Sequence, residues 1–536
     1  MDQTRSRRSL LVLVMLAGLT VPAGGQGTTQ FQQWNRAVMA DPVELKPADS
    51  CAALISMTGY EFSVTSATIV AASADWPEYC RVVGLIQPEV RFDVSLPAVW
   101  NGRLYMFGNG GFAGESLDGA GRVATARRAL ARGFAVAQTN TGHDGAAEPG
   151  ASFAASPQKF LDYAYRAVHV TVMTAKSIVR RYYNSEPRRS YFDGCSTGGR
   201  QGLISAQRFP GDFDGIIVGA PVLNFSGTML NYNVMQRALR AAPLSAEKLK
   251  LVATAIYEHC DRKDDVADGV IEDPRQCGFD PATHLSRCTG TDGASCFTDG
   301  EIASLNAIYR PTMRNGAELF PGWPVGAETG SSAPGQVPLG ANTSSAWIPW
   351  FVAGPKMPRS IQEQFGETFM RYMAFGRANP EYDWMAFDLE KDYDKLLPTR
   401  MALDATDPNL MRFRDRGGKI VSYFGWADQA LNPMMGIRYY ESVRGTMGPS
   451  TTDFYRLFMV PGLFHCAGGV GVNSFDPFTP LVEWVEKGTA PATIPASRLV
   501  DGKTVMTRPL CPHPEVARYK GSGSTDDAAN FACAKP

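Results

Sequence analysis

The stretch 191–202, YFDGCSTGGRQG, places a serine between small residues. Gly194, Ser196 and Gly198 form the pattern G-x-S-x-G, in which a tight turn from a strand to a helix presents a nucleophilic serine. The flanking sequences predict such a strand before Ser196 and such a helix after it. These observations indicate acyl-transfer chemistry with Ser196 as the nucleophile.

A serine nucleophile needs a histidine base and a carboxylate that orients the base. Of the six histidines, we favour His465, which follows a predicted strand in a glycine-flanked loop, over His513, which lies between prolines. Asp428, at the end of the strand-like stretch YFGWAD, is the favoured carboxylate, and the order Ser, Asp, His is that of α/β-hydrolases. The other nearby carboxylates are interpreted as solvated or helix-capping groups: Asp404, Asp407, Asp415 and Asp453.

The chain has ten cysteines, an even number that suggests disulfides formed in an oxidising compartment. Sequence alone leaves their connectivity open, and pairing between neighbours is the default prediction: Cys51–Cys80, Cys260–Cys277, Cys288–Cys296 and Cys511–Cys533. Cys195 and Cys466 then remain, directly before Ser196 and directly after His465. A hydrogen bond between Ser196 and His465 would bring these cysteines within bonding range, so we predict a Cys195–Cys466 disulfide. Two buried free cysteines are the alternative; a zinc site is disfavoured because the chain has no CxxC pair.

The stretch 260–277, CDRKDDVADGVIEDPRQC, crowds Asp261, Asp264 and Asp268 into one loop. Carboxylates so close repel one another unless a cation or solvent relieves them, and hard oxygen ligands suit Ca²⁺. The ligand spacing of an EF-hand is absent. The loop is therefore a candidate calcium site, with a solvated acidic loop as the alternative.

The stretch 107–114, FGNGGFAG, weakly resembles a dinucleotide-binding turn, but no acidic residue ends the next predicted strand. In a hydrolase the same glycines would form an oxyanion loop. The backbone N–H groups of Gly111, which we favour over Gly110, and of Thr197 would then bind the oxyanion. His143, in the sequence NTGH, is interpreted as structural.

Strand-like and helix-like stretches alternate from about residue 90, which predicts an α/β fold with a parallel sheet. The alternation stops over residues 223–405, which hold many prolines and most of the local cysteines, and it resumes near residue 417. We therefore predict one sheet domain in two parts, residues 26–222 and 406–536, interrupted by a large insertion.

The N-terminus has the composition of an export signal. Arg5, Arg7 and Arg8 precede a short apolar run at 10–19 and then small residues, which predicts a signal peptide over about residues 1–25 rather than a membrane anchor. The net charge of −1 and the absence of a later basic run give no basis for binding nucleic acid or a membrane. We predict a secreted or periplasmic protein.

The motifs GCSTGGRQG, YFGWAD and FHCAGG, in that order, resemble those of the tannase and feruloyl esterase family. That family includes feruloyl esterases, tannases and mono(2-hydroxyethyl) terephthalate hydrolases. The resemblance implies an α/β-hydrolase core with a large inserted lid domain, and a disulfide beside the nucleophile and base. It also implies a structural calcium ion in the lid, although Asp265 stands where the family commonly has glycine. The implied calcium ligands are Asp261, Asp264, Val266, Asp268 and Val270.

The resemblance further implies a serine esterase that acts on esters of aromatic carboxylic acids through an acyl-enzyme. Thr197 resembles the feruloyl esterase form, so hydroxycinnamoyl esters rank first, and terephthalate monoesters or gallate esters rank second. A non-catalytic binding protein on the same fold is the remaining alternative. Arg371 and Arg377 are candidates to pair with a substrate carboxylate, with surface groups as the alternative. Some of the aromatic side chains of the insertion are expected to pack on the substrate ring and most of them to form the core of the insertion: Trp347, Trp350, Phe351, Phe365, Phe369, Tyr372 and Phe375.

Overall fold

The computed structural model describes residues 44–290, 293–330, 346–354 and 357–536. The predicted signal peptide lies outside these residues. Within them, no helix combines the length and the apolar character that a membrane crossing requires.

A mixed sheet of nine strands forms the centre of the fold. The strands of the described chain are β1 (Phe62–Val70), β2 (Tyr79–Ile86), β3 (Val90–Pro97), β4 (Arg103–Phe107), β5 (Ala135–Thr139), β6 (Arg189–Cys195), β7 (Gly215–Gly219), β8 (Thr312–Arg314), β9 (Ala317–Phe320), β10 (Lys419–Gly425), β11 (Tyr455–Val460), β12 (Ser474–Phe475), β13 (Ile494–Val500), β14 (Lys503–Leu510), β15 (Val516–Tyr519) and β16 (Phe531–Ala534). The large sheet has the order β1-β2-β3-β5-β4-β6-β7-β10-β11. Its pairs from β1 to β5 are antiparallel and its pairs from β5 to β11 are parallel.

Helices connect the parallel strands and fill the insertion. They are α1 (Ala120–Leu130), α2 (Pro157–Leu161), α3 (Ala167–Tyr183), α4 (Thr197–Arg208), α5 (Phe225–Ala241), α6 (Ala246–Cys260), α7 (Pro281–His284), α8 (Asp299–Tyr309), α9 (Trp347–Trp350), α10 (Ile361–Tyr372), α11 (Leu389–Asp392), α12 (Leu397–Leu403), α13 (Met411–Asp415), α14 (Met434–Met447) and α15 (Phe478–Lys487). A π-helical turn, Asp162–Arg166, separates α2 from α3.

The parallel half of the sheet confirms the predicted α/β fold, whereas two details differ from the prediction. The sheet begins at Phe62, so the antiparallel strands β1 and β2 precede the region where alternation was recognised. The sequence of residues 160–183 has a continuous helical periodicity, yet the π-helical turn interrupts the helix there, because a change of hydrogen-bond register leaves little trace in hydrophobic periodicity.

Side chains of the central strands alternate between two apolar layers. Tyr105, Tyr191 and Tyr423 lie in one layer together with α15 and much of the insertion. Leu104 and Phe192 lie in the other layer, which includes residues of α3, α4 and α14. This alternation, which follows from the period of two in a strand, covers both faces of the sheet as a parallel sheet requires.

The chain leaves the sheet after β7 and returns to it at β10. At the boundaries predicted for the insertion, the N–H of Ala405 donates to the carbonyl of Leu223, with 2.7 Å between the atoms. The two ends of residues 223–405 therefore meet at one place. The assignment of this segment as a lid domain remains a prediction.

The structure contains five disulfides within the described residues. Their pairing is the predicted one: Cys51–Cys80, Cys195–Cys466, Cys260–Cys277, Cys288–Cys296 and Cys511–Cys533.

Candidate active site

Ser196 occupies the sharp turn between β6 and α4. Its backbone has φ of 64° and ψ of −123°, a combination that a residue with a side chain adopts only under strain. The turn is tight: a Cβ at Gly194 would lie 2.4 Å from the backbone of Gly198, so a side chain does not fit there. The N–H of Ser196 donates to the carbonyl of Gly219 at the end of β7, 3.0 Å away. The strand and helix thus present the serine at the carboxyl edge of the sheet.

Asp428 and His465 follow the ends of β10 and β11, the next two parallel strands. The Nδ1–H of His465 donates to Oδ2 of Asp428 across 2.8 Å. The other carboxylate oxygen, Oδ1, accepts the N–H groups of Ala430 and Leu431, each at 2.8 Å. A carboxylate only accepts, so this bond favours the tautomer with its proton on Nδ1, in which Nε2 has a lone pair that can accept a proton.

The Cys195–Cys466 disulfide joins the nucleophile turn to the histidine loop. The two Cα atoms are 6.0 Å apart. The imidazole lies against this bond, with 3.7 Å between Nε2 of His465 and Sγ of Cys466. The ring of Trp350, from the insertion, meets the imidazole edge-on at 5.9 Å between centroids. Ser196 and His465 consequently line the same cleft.

The two predicted oxyanion residues, Gly111 and Thr197, also line this cleft. Gly111 has φ of 49°, which favours glycine. Thr197 is the first residue of α4, where backbone N–H groups lack partners within the helix. Among the hydrogen bonds of the described residues, neither N–H group donates to a protein acceptor.

The cleft has an apolar lining. Besides the residues already named, its lining consists of Phe112, Val222, Phe225, Met229, Tyr232, Phe365, Ala430 and Leu431. The hydroxyl of Tyr232 is engaged, because it donates to the carbonyl of Ala430. Within the described part of the chain, no Lys, Arg, Asp or Glu side chain lines the cleft.

Some of the seven insertion aromatics were expected to meet a substrate ring, and two of them, Trp350 and Phe365, line the cleft. The other five pack in or against the hydrophobic core: Trp347, Phe351, Phe369, Tyr372 and Phe375. Arg371 pairs with Glu367 at 3.0 Å and Arg377 is exposed, and neither reaches the cleft.

The competing histidine and carboxylate lie elsewhere. His513 pairs with Glu441 at 3.2 Å, and burial lowers the pKa of its imidazole. Asp404 accepts the N–H of Ser226 at 2.9 Å, and burial raises the pKa of its carboxyl to about 6. Neither lines the cleft that holds Ser196.

Two further residues support the site: Gln429, which received no role from the sequence, and His143, which was interpreted as structural. Gln429, directly after Asp428, accepts the backbone N–H of His465 through Oε1 at 3.1 Å. His143 is buried beneath the oxyanion loop, stacked 3.8 Å from the ring of Phe153 and in contact range of Gly114. In the sequence, Gln429 could have been recognised as a supporting residue only by its position beside Asp428, and His143 only by the motif NTGH.

The acidic loop lies in the insertion, next to the C-terminal strands. Asp261 accepts the N–H of Gly269 at 2.8 Å, and Asp264 accepts that of Val266 at 3.1 Å. Asp268 pairs with Arg508 of β14 at 2.6 Å. Asp265 adopts φ of 69°, the left-handed conformation that favours glycine.

The donor chemistry of this loop fits a hard divalent cation. Burial raises the pKa of Asp261 and of Asp264 to about 6, because the ionised carboxylates lose hydration without gaining enough compensating positive charge. Asp264, Val266, Asp268 and Val270 line one cavity. In the described residues, however, no three His, Cys, Asp or Glu side chains are already grouped as metal ligands, so Asp261, Asp264 and Asp268 do not form a preassembled site.

Comparison with known proteins gives a consistent result. The family model described as tannase and feruloyl esterase matches residues 74–534. A mono(2-hydroxyethyl) terephthalate hydrolase from Piscinibacter sakaiensis is 34% identical, over 88% of this chain and 87% of that protein. A probable feruloyl esterase B from Aspergillus clavatus is 30% identical, over 85% of this chain and 86% of that protein. The crystal structure of feruloyl esterase B from Aspergillus oryzae superposes with a TM-score of 0.76 at 27% identity, covering 90% of this chain and 100% of that chain.

Proposed function

The chain belongs to the tannase and feruloyl esterase family, and from this premise we propose that it hydrolyses esters of aromatic carboxylic acids, with hydroxycinnamoyl esters as the preferred substrates. The observation that carries the proposal is the cleft in which Ser196 and His465 face an aromatic lining. Ser196 is the nucleophile, His465 the general base and Asp428 the group that orients it.

In the first half of the reaction, Nε2 of His465 accepts the proton of Ser196 as Oγ attacks the ester carbonyl. Asp428 holds Nδ1–H, which keeps Nε2 free to accept and stabilises the imidazolium that forms. The N–H groups of Gly111 and Thr197 bind the oxyanion of the tetrahedral intermediate. His465 then protonates the departing alcohol, which leaves an acyl group on Ser196.

In the second half, His465 accepts a proton from water, and the water oxygen attacks the acyl carbonyl. A second tetrahedral intermediate forms with the same oxyanion donors. The intermediate collapses when His465 returns the proton to Ser196 Oγ, and the aromatic acid is released.

The cleft lining supports the ranking of acyl groups. A terephthalate monoester carries a carboxylate, and no Lys or Arg among the described residues lines the cleft, so burial of that carboxylate there would cost several kcal/mol. A galloyl ring would bring several hydroxyl groups toward Phe112, Phe225 and Phe365, which offer them no hydrogen bonds. A hydroxycinnamoyl group places more apolar surface against this lining than either alternative. Gallate esters and terephthalate monoesters therefore rank second.

Two further features are part of the proposal. A structural Ca²⁺ would be held by the carboxylates of Asp261, Asp264 and Asp268 and by the carbonyls of Val266 and Val270, where it would relieve the repulsion within the loop. Export of the protein to an oxidising compartment, periplasmic or extracellular, is supported by the five disulfides.

The test is a substrate series. Purified wild-type protein and Ser196→Ala are assayed with methyl ferulate, methyl gallate and mono(2-hydroxyethyl) terephthalate. We expect the highest kcat/KM with methyl ferulate and no turnover above buffer for Ser196→Ala. Failure of the wild type to hydrolyse any of the esters would refute the proposed function, and a higher kcat/KM for either other ester would reverse the ranking.

A further inference from the structure

Two hydroxyl groups converge on the carbonyl oxygen of Gly111. The side-chain hydroxyl of Thr197 donates to it from the start of α4. The phenolic hydroxyl of Tyr163 donates to it from the π-helical turn, at 3.0 Å. The oxyanion loop is therefore tied both to the nucleophile helix and to a second element that does not line the cleft.

These two bonds hold the peptide unit that follows Gly111, and a third bond holds the peptide unit that precedes it. The preceding carbonyl, of Gly110, accepts the N–H of Ala113 at 2.8 Å. The planar peptide unit between Gly110 and Gly111 contains both that carbonyl and the N–H of Gly111, pointing in opposite directions. With both peptide planes around Gly111 held, the direction of its N–H group is fixed. A glycine without such bonds would have wide rotational freedom.

Tyr163 is itself held by Arg200, which lies on α4 three residues after Thr197. Nη1 of Arg200 donates to the backbone carbonyl of Ala164 at 2.9 Å, and Nη2 of Arg200 donates to the backbone carbonyl of Tyr163 at 3.1 Å. The guanidinium also lies 4.9 Å from the centroid of the Tyr163 ring. Arg200 is fully buried, so this arrangement is shielded from solvent.

Burial raises the pKa of Tyr163, so its hydroxyl stays protonated and able to donate. The side chain is 1% exposed and packs beside Phe112, Phe153 and Phe225. Apolar packing would be equally well served by phenylalanine. The hydroxyl is therefore the part of this side chain that needs a separate explanation.

We propose that Tyr163 and the Thr197 hydroxyl are positioning groups that aim the Gly111 N–H at the oxyanion, with Arg200 holding Tyr163 in place. This inference rests on the proposed function. An oxyanion donor acts on the tetrahedral intermediate and far less on bound substrate. Loss of either hydroxyl should thus lower kcat and leave KM nearly unchanged.

The test compares Tyr163→Phe, Thr197→Val and Thr197→Ser on the full-length protein. Complete loss of an oxyanion donor typically lowers kcat about 100- to 1000-fold, so a donor that is merely misaimed should lower it roughly 10-fold in Tyr163→Phe and Thr197→Val. Thr197→Ser keeps the hydroxyl and should recover most of what Thr197→Val loses. The inhibition constant of an aryl trifluoromethyl ketone, which forms a tetrahedral oxyanion on the serine, should rise by the same factor.

Tyr183→Phe is the matched control. Tyr183 is also buried, and its hydroxyl also donates to a backbone carbonyl, that of Pro97, but it lies outside the cleft. This variant should retain wild-type kcat while losing a comparable hydrogen bond. It therefore separates a general loss of stability from a loss of alignment.

Three results are distinguishable. Unchanged kcat in both Tyr163→Phe and Thr197→Val, with an active wild type, would overturn the inference. The inference would also be overturned by a loss confined to KM, or by a loss of kcat that Tyr183→Phe shares. A wild type that hydrolyses no aryl ester would instead remove the proposed function, and that result is visible before any of these variants is made.

Discussion

The imidazole of His465 and the carboxylate of Asp428 form a hydrogen bond of 2.8 Å, with both side chains almost completely buried. Asp428 is held in turn by the N–H groups of Ala430 and Leu431 on the same loop. The carboxylate thus has a fixed position independent of the histidine, and it can select the tautomer of the ring.

Asp428→Asn should preserve this geometry while destroying its selectivity for the tautomer. The amide can donate to Nδ1, which would place the imidazole proton on Nε2 and prevent it from accepting the serine proton. We expect kcat for methyl ferulate to fall about 10⁴-fold, as in serine triads generally. Asp407→Asn is the control, because the side chain of Asp407 is exposed, and it should be as active as wild type. Substantial activity in Asp428→Asn would exclude Asp428 as the orienting group.

Removal of the Cys195–Cys466 bond should cost both stability and activity. Cys195→Ala/Cys466→Ala releases a link between residues 271 positions apart, and losing a native disulfide typically costs about 2–5 kcal/mol. Cys288→Ala/Cys296→Ala is the control, because this disulfide joins residues only 8 positions apart. A shorter loop restricts the unfolded chain less, so this variant should lose about 3 kcal/mol less of the free energy of unfolding than Cys195→Ala/Cys466→Ala. Urea unfolding and kcat measure the two effects. Equal stability losses, or full activity in the first variant, would contradict a role for this bond in joining the nucleophile to the base.

Acid should destabilise the protein through His143. Burial lowers the pKa of its imidazole to about 4, with Glu148 and Lys159 as the charged neighbours, whereas the unfolded chain has the usual value near 6.5. The unfolded state therefore binds an extra proton between these values. The contribution of neutral His143 to the free energy of unfolding is fully present above pH 6.5. It is lost as the pH falls toward 4 and amounts to about 3 kcal/mol in total.

His143→Gln removes this titration. Whatever its stability at neutral pH, its free energy of unfolding should decline less steeply than that of the wild type between pH 6.5 and 4. Parallel pH profiles for the two proteins would show that His143 is not responsible.

Calcium should stabilise the protein without acting in the reaction. Chelation with EGTA should lower the Tm, and restoring Ca²⁺ at about 100 times its Kd should return about 2.7 kcal/mol. Asp261→Asn/Asp264→Asn should abolish the response, whereas Asp265→Asn, which alters an exposed carboxylate in the same loop, should retain it. A Tm that is insensitive to both EGTA and Ca²⁺ would leave the loop as a solvated acidic segment.

The sequence allowed the parallel strands, the five cysteine pairs and the clustering of Ser196, Asp428 and His465 to be predicted. These features depend on short local patterns and on the rule that parallel strands end at a common edge. The selection of Trp350 and Phe365 from seven aromatic residues could not be predicted. All seven have similar chemistry, and only the packing of distant segments decides which of them face a cleft and which join the core.

The hydroxyl of Tyr163 was missed for a related reason. Its hydrogen bond to Gly111 joins residues 52 positions apart and depends on a π-helical turn that hydrophobic periodicity does not reveal. The burial of Arg200 could not be predicted either, because nothing in the sequence distinguishes it from an exposed arginine on a helix, although it is fully buried.

The Cys195–Cys466 bond also has a topological consequence. Together with the backbone it closes a ring that contains the whole of residues 223–405. A protease that cuts this ring once, anywhere along its length, opens it without separating the fragment that carries the serine turn from the fragment that carries the histidine. The two fragments stay covalently joined until the disulfide is reduced. A protein that has been cut once within this ring therefore still carries Ser196 and His465 in one molecule.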